Sequence, residues 1–259
     1  MIRRPDDPSP MKERTVILGI DLAWGERNPD GVTRIEFDPT TDEPPARIET
    51  RLLRGDEALL SEVSETDGAR RVLLAVDAPM ICPNESGSRP VDRECTSRFG
   101  RNDAGCYPAN RKLCRRPLRL AAALLERGFS LTTDLGRSSR IVCEVYPHPA
   151  TIHLFGIAKT IKYKKGRVAE KRVRFTEYQT RLRECLAREL PALLESPDHR
   201  TLLASPWTKA VEDQTDSILC ALIGFLHLRY QGRRSEVLGD DETGHILLPT
   251  AVPLPGAGA

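Results

Sequence analysis

The sequence predicts one α/β domain in which a mixed β-sheet carries helices on both faces. Three runs, residues 15–21, 72–77 and 141–146, are continuously apolar and rich in β-branched side chains, as is typical of strands buried on both faces. Helical patterns between the later runs favour parallel strands joined by helical crossovers. Residues 211–229 form a helical pattern that is apolar nearly all round, so this helix should be largely buried.

The other elements follow from shorter patterns. Residues 32–37 and 47–53 alternate between apolar and polar side chains, with Pro and Asp between them, which predicts the two antiparallel strands of a meander. Residues 80–117 are rich in Pro, Gly, Asn and Arg and predict a long loop, of a length that is usually functional or mobile. Helices are expected at residues 56–63, 91–99, 118–127 and 175–189.

The predicted domain organisation has three parts. A disordered lead occupies residues 1–13, the α/β domain spans residues 14–231, and a Gly/Pro-rich tail, surface-bound or disordered, occupies residues 232–259. Within the domain we expect the long loop 80–117 and a basic insert at residues 156–176.

Composition narrows the class of protein. The formal charge of +2 with 29% charged residues is ordinary, so any affinity for nucleic acid must come from local patches. No stretch approaches the roughly 18 apolar residues of a membrane span, and the N-terminus lacks the apolar core of a signal peptide. The seven cysteines include no Cys-x-x-Cys pair, which indicates reduced thiols and a cytoplasmic location.

Four of these cysteines crowd one segment, and two interpretations remain open for them. They are either small, half-buried side chains or the ligands of a structural zinc. Their spacings match no familiar zinc pattern, which favours the first interpretation. The four are Cys82, Cys95, Cys106 and Cys114.

Acidic residues end the three buried runs. Asp21, Asp77 and Glu144 each stand at or near the carboxyl end of a predicted strand. If these strands are parallel, the three acids share one edge of the sheet, where open α/β sheets bind their ligands. A single acid in this position is often a turn former or a helix cap, but three of them favour a common site.

The last helix adds two more acids. At about 100° per residue, Asp213, Asp216, Cys220, Gly224 and His227 fall on one narrow face. The small residues at positions 220 and 224 would allow a close approach to the sheet. An unpaired buried carboxylate costs on the order of several kcal/mol, so these acids need a partner. The alternative is a capping-box variant with Asp213 as the N-cap, which is compatible with metal binding.

A set of hard oxygen ligands without histidine suits magnesium or manganese rather than zinc. Two such ions about 4 Å apart would clamp a phosphodiester, activating water on one side and stabilising the leaving oxygen on the other. The candidate catalytic and metal-binding residues are Asp21, Asp77, Glu144, Asp213 and Asp216.

These residues carry a resemblance to a known family. The motifs Gly19-Ile20-Asp21, Val76-Asp77-Ala78-Pro79, Glu144-Val145-Tyr146-Pro147 and Asp213-x-x-Asp216-Ser217-Ile-Leu-Cys-Ala221 resemble the "domain of unknown function 429" family, as do Arg89-Pro-Val-Asp92-Arg93 and Tyr163-Lys164-Lys165-Gly166-Arg167. The Asp-x-x-Asp helix also resembles the last motif of RuvC-type junction resolvases. One departure is Ser217, where the family often has Ala.

The resemblance implies a ribonuclease H-like fold with five strands in the order 3-2-1-4-5, strand 2 being antiparallel. It also implies nuclease activity with Asp21, Asp77, Glu144 and Asp216 as the core metal ligands and Asp213 assisting. This activity rests on analogy between folds.

Basic residues in two segments, the long loop 80–117 and residues 159–174, are candidates for binding substrate. Residues 159–174 hold eight Lys or Arg and a single acid, Glu170, and a basic loop with an aromatic residue can follow a phosphate backbone while the ring stacks on a base. The alternative is a solvated surface loop. Trp24 is either a core residue or a stacking platform, and His148 is a weaker candidate for a general acid. The candidate substrate-binding residues are Arg89, Arg93, Lys162, Tyr163, Lys164, Lys165, Arg167 and Arg172.

The sequence therefore predicts an enzyme, a nuclease that uses magnesium or manganese and acts on DNA or RNA. One alternative is an ATP-dependent phosphotransferase of the actin-like or sugar-kinase superfold, although no Gly-rich phosphate loop follows the acidic strands. The other is a nucleic-acid-binding module without catalysis, which would have no use for carboxylates facing phosphates.

Overall fold

The structure, a computed structural model, describes residues 13–25 and 27–250. The predicted disordered lead lies outside these residues except for its last position, and so does the end of the predicted tail. The central sheet has six strands in the order β3-β2-β1-β4-β6-β5. They are β1 (Thr15–Asp21), β2 (Asp30–Phe37), β3 (Arg47–Leu53), β4 (Arg71–Val76), β5 (Ser130–Leu131) and β6 (Arg140–Glu144).

Helices fill three of the connections between the strands, and a short 3-10 helix, Gly100–Asn102, follows the second helix. In the described part of the chain the α-helices are α1 (Gly55–Ser64), α2 (Pro90–Phe99), α3 (Arg115–Glu126), α4 (Pro147–Phe155), α5 (Val168–Glu189), α6 (Pro191–Glu195), α7 (Pro197–Leu202) and α8 (Lys209–Arg229).

The strand directions agree with the predicted mixed sheet. Strands β1, β4 and β6 are parallel neighbours, and β2 is antiparallel to both β1 and β3. The two-residue strand β5 pairs with the outer side of β6, so the sheet has one strand more than predicted. Because β1, β4 and β6 run the same way, their carboxyl ends share one edge.

The sheet is covered on both faces. Side chains alternate along each inner strand, so that Ile17 and Leu73 pack into the cluster formed with α8. Val16 and Leu74 point to the other face, where they pack with apolar residues of α1 and α3. This arrangement explains why these strands are apolar at every position.

Helix α8 crosses the sheet at very short range because glycines line its path. A side chain at Gly19 would overlap the backbone of Ala221, and one at Gly31 would overlap the backbone of Asp213. On the helix itself, a Cβ at Gly224 would lie 2.8 Å from Leu73. The predicted close approach at position 224 is therefore confirmed, and Gly19 and Gly31 extend it to the sheet.

Besides the extra strand, the chain departs from the predictions at its C-terminal end, in the basic insert and after β6. Residues 235–249, placed in the tail, form an antiparallel hairpin of β7 (Ser235–Asp240) and β8 (Gly244–Pro249). All six residues of β8 are buried, and Leu247 bridges to Val145. In the basic insert, α5 already begins at Val168. Pro147 begins a helix, because proline is well tolerated in a first helical turn.

Within residues 13–25 and 27–250, no helix has the length and apolarity that a membrane span requires.

Candidate carboxylate site at the sheet edge

The site forms where two neighbouring parallel strands end. Asp21 is the last residue of β1, and Asp77 directly follows β4. The Asp77 backbone N–H donates to the Ile20 carbonyl oxygen at 2.8 Å, so the two acids stand side by side on the edge. Both are an even number of residues from Ile17 or Leu73, so both belong to the face that α8 covers.

The first turns of α8 bring the other two acids to the same place. Gly31 lies opposite Asp21 in the β1–β2 register, and its missing side chain lets the Asp213 backbone rest on it. Asp213 is 3% exposed and Asp216 is fully buried. Thr208 caps the helix by accepting a hydrogen bond from the Val211 N–H at 3.2 Å. The alternative role of Asp213 as N-cap is therefore wrong.

The electrostatics of this group are those of crowded anions. Burial, together with repulsion from Asp216, Asp77 and Asp213, raises the pKa of Asp21 well above its ordinary value. Burial likewise raises the pKa of Asp77 to about 7, and Asp216 adds to the effect. Burial also raises the pKa of Asp213, and the ion pair with Lys209 offsets part of this rise. We call Asp21, Asp77, Asp213 and Asp216 the carboxylate cluster.

A lysine supplies positive charge to this cluster. The Lys164 ammonium nitrogen lies 2.7 Å from Asp216 Oδ2, and the Lys164 side chain is 31% exposed. Burial alone would lower the pKa of Lys164, but Asp216, Asp21 and Asp77 raise it well above its ordinary value, so the amine stays charged. On the other oxygen, the Tyr163 hydroxyl donates to Asp216 Oδ1 at 2.7 Å.

The positive charge does not satisfy every oxygen. Lys209 contacts Asp213 Oδ1 at 2.6 Å, but the buried Asp213 Oδ2 has no hydrogen-bond partner among the described residues. Asp216 Oδ2 has the ammonium of Lys164 beside it, yet no aligned hydrogen bond. The cluster therefore has oxygen atoms that could accept a further cation.

Glu144 stands beside the cluster but is engaged elsewhere. Along β6, Ile141 and Cys143 face α8, so Glu144 projects from the opposite face of the sheet. Arg89 holds both carboxylate oxygens, with nitrogen–oxygen distances of 2.6 and 2.7 Å. The same guanidinium pairs with Asp92, and all three side chains are buried. Sequence reasoning missed this pairing and counted Glu144 as an open ligand.

Two of the predicted substrate-binding residues are in the interior. Arg89 is 1% exposed, so the prediction that it grips phosphate does not agree with its position. Tyr163 is 2% exposed, and its ring stacks on Tyr178 with centroids 4.3 Å apart, so neither face is open to a base. Their side chains are used to orient Glu144 and Asp216 instead.

The other basic candidates lie closer to solvent. Lys162 pairs with Asp103 at 2.9 Å and is 45% exposed. Lys165 lies over the exposed ring of Tyr107, 5.4 Å from its centroid. The candidates exposed to solvent are Arg93, Lys162, Lys165, Arg167 and Arg172, and Lys164 alone of the set is both half-exposed and directed at the cluster.

Further observations bear on His148 as a general acid and on the crowded cysteines as zinc ligands. Burial and the nearby Lys164 lower the pKa of His148 to about 4, so its ring is neutral at pH 7, which disfavours the role of a general acid. The thiols of the cysteine-rich segment contact each other as two pairs, Cys82 with Cys114 and Cys95 with Cys106. Among the described residues, no group of three or more His, Cys, Asp or Glu side chains is arranged so that it could hold a metal ion.

Comparison with known proteins gives one match. The model of a family described as "protein of unknown function (DUF429)" matches residues 19–243. No curated protein and no solved structure matches the chain.

Proposed function

The chain belongs to the DUF429 family, and we propose that it is a metal-dependent nuclease that hydrolyses phosphodiester bonds of DNA or RNA. One observation carries this proposal. Four carboxylates, delivered by β1, by the end of β4 and by the first turns of α8, meet at one sheet edge with too little positive charge around them. A protein keeps such a repulsive arrangement when a cation or a developing charge uses it.

The four carboxylates are of the donor type that suits a hard divalent cation, and their side chains would have to rearrange to bind one ion together. Carboxylate oxygens are the ligands that magnesium and manganese prefer, and Asp213 Oδ2 is buried without a partner. Asp21, Asp77, Asp213 and Asp216 would hold the metal, which in such sites activates water and stabilises charge on phosphate oxygens. We leave Glu144 out of this set, because Arg89 already holds both of its oxygens.

The neighbouring side chains then have separate tasks. Tyr163 fixes the orientation of Asp216 through its hydroxyl, and stacking on Tyr178 keeps the ring in place. Lys164 and Lys209 neutralise part of the anionic charge, and both reach the cluster from side chains with solvent access. With a metal bound, these two amines would be free to contact the phosphates of a substrate.

The fold supports the same proposal. The antiparallel β2, the parallel β1, β4 and β6, and a long last helix that packs its acids against the end of β1 are the features expected of a ribonuclease H-like core. We propose this fold for residues 14–231. The hairpin of β7 and β8 packs against β6 beside that core.

The test is an activity panel with manganese or magnesium on single-stranded, duplex, hybrid and branched substrates. We expect cleavage by the wild type and a loss of at least about 100-fold in Asp21→Asn and Asp216→Asn, since even residues behind metal ligands cost 10–100-fold. Asp67→Asn, which changes an exposed aspartate paired with Arg140, is the control and should keep its activity. Absence of cleavage on every substrate, or undiminished cleavage by Asp21→Asn, would contradict the proposal.

A further inference from the structure

The most exposed aromatic side chains of the described chain border one cleft. Trp24 is 40% exposed and Tyr107 is 65% exposed, and they come from different loops, after β1 and after α2. Exposed aromatic rings lose contact with the core, so two of them at one opening indicate a binding surface.

The cleft reaches the carboxylate cluster. Its volume is about 70 Å³, and Asp77 and Glu144 lie in its lining. Ala78, Pro79 and Tyr146 contribute apolar surface to the same lining. The cleft is open to solvent and too small to enclose a large planar ligand, so a ring would lie at its mouth against the aromatic side chains.

Trp24 joins this cleft to the cluster. It also lines a neighbouring cavity of about 220 Å³, whose other walls include Asp21, Asp213 and Lys209. One residue therefore borders both the cavity with the acids and the aromatic cleft. A nucleotide whose base contacts Trp24 would place its phosphate toward the carboxylate cluster.

Two lysines lie beside the same two cavities. The Lys165 ammonium lies 5.4 Å from the centre of the Tyr107 ring, and Lys209 stands at the Asp213 end. Aromatic platforms bordered by lysines are the usual construction of single-strand binding sites, because every base has a stacking face and every linkage a negative charge.

We propose that the Trp24–Tyr107 cleft binds an unpaired nucleobase next to the phosphate that is cleaved. The substrate is then a single strand or an unpaired segment, since the faces of paired bases are covered by their neighbours in the duplex. This inference rests on the proposed nuclease function for the position of the phosphate, whereas the stacking itself does not require catalysis.

The experiment measures binding without cleavage. A fluorescein-labelled oligothymidylate and a duplex of equal length are titrated with the full-length protein in EDTA, and anisotropy is recorded. One stacked base contributes roughly 5- to 150-fold in affinity. We expect tighter binding of the single strand by the wild type, and a loss of this size for that strand in Trp24→Ala and Tyr107→Ala, with little change for the duplex.

Matched variants separate stacking from general damage. Trp24→Phe keeps an aromatic face and should retain most of the affinity, and Leu113→Ala removes an exposed apolar side chain of the same long loop without effect. Equal binding of single strand and duplex by the wild type, or unchanged binding by both alanine variants, would overturn the proposal.

The two proposals fail in different ways. If binding depends on the two aromatic rings but no cleavage occurs in manganese, the base subsite is supported and the nuclease proposal is wrong. If the wild type cleaves and the two alanine substitutions change neither binding nor the rate of cleavage, the nuclease proposal is supported and the subsite proposal is wrong.

Discussion

Lys164 tests whether the carboxylate cluster is built for a cation. Its ammonium lies 2.7 Å from Asp216, which is fully buried, and it is the only lysine among the described residues that pairs with that carboxylate. Replacing it by Met in Lys164→Met keeps an unbranched side chain, one atom shorter, and removes the charge. If the cluster exists to hold divalent metal, the metal should replace what the substitution takes away.

The expected magnitude follows from the burial of the pair. Breaking a buried ion pair from one side costs about 3–5 kcal/mol. Lys164 is 31% exposed, and Tyr163 still donates to Asp216, so solvent and the remaining hydrogen bond reduce the cost to about 2 kcal/mol. For a domain of this size each kcal/mol shifts Tm by about 2–4 °C, which predicts a fall of about 4–8 °C in EDTA.

The assay is thermal unfolding at pH 8 in EDTA and in excess magnesium or manganese. A ligand at about 100 times its Kd stabilises the folded state by about 2.7 kcal/mol. In the wild type, the metal must displace the Lys164 ammonium, and this cost reduces the stabilisation that binding gives. The metal-induced rise in Tm should therefore be larger in Lys164→Met. Lys162→Met, on the same loop but paired with the half-exposed Asp103, should change neither value appreciably. Equal metal-induced shifts in the wild type and in Lys164→Met would refute this reasoning.

Two further predictions concern stability. Because the Asp77 carboxyl has a pKa of about 7 in the folded protein against 3.8 ordinarily, the folded state keeps a proton that the unfolded chain has released. The free energy of unfolding in EDTA should therefore fall as pH rises through the window from about 4 to 7. In urea titrations at several pH values, Asp77→Asn should show a smaller pH dependence of this free energy. An equal pH dependence in the variant would show that other groups cause it. Arg89→Met leaves the buried Glu144 and Asp92 without their partner, so urea denaturation should show that the free energy of unfolding falls by about 3–5 kcal/mol. The control Arg93→Met changes an exposed arginine and should alter this free energy little. A similar loss in both variants would mean that burial of the ion pair is not the cause.

Much of the site could be predicted because its signals are local. The acids that end the first two parallel strands, and the Asp-x-x-Asp spacing that puts two acids on one helix face, are readable from single segments. The buried character of α8 was equally clear from its composition. Gly19 and Gly31 were not recognised as the surface on which α8 rests, because a glycine in a strand shows only that something approaches closely, not what it is.

The hairpin of β7 and β8 was missed for a related reason. Its sequence is short and rich in Gly and Pro at its borders, and the burial of β8 depends on contact with β6, far away in the chain. The roles of Tyr163 and Arg89 were assigned from residue type and neighbours along the chain. Their actual partners, Asp216 and Glu144, are 53 and 55 residues away.

The amino-acid sequence by itself determined the mixed α/β architecture, the parallel strands with acids at one edge, and the acidic turn of the last helix. Tertiary structure decided which acids belong together. A strand that is apolar on both faces carries no alternation, so nothing in residues 140–144 indicates the face from which Glu144 projects. That choice follows from the position of α8 and from Arg89, whose charge removes Glu144 from the cluster and leaves Asp21, Asp77, Asp213 and Asp216 as its members.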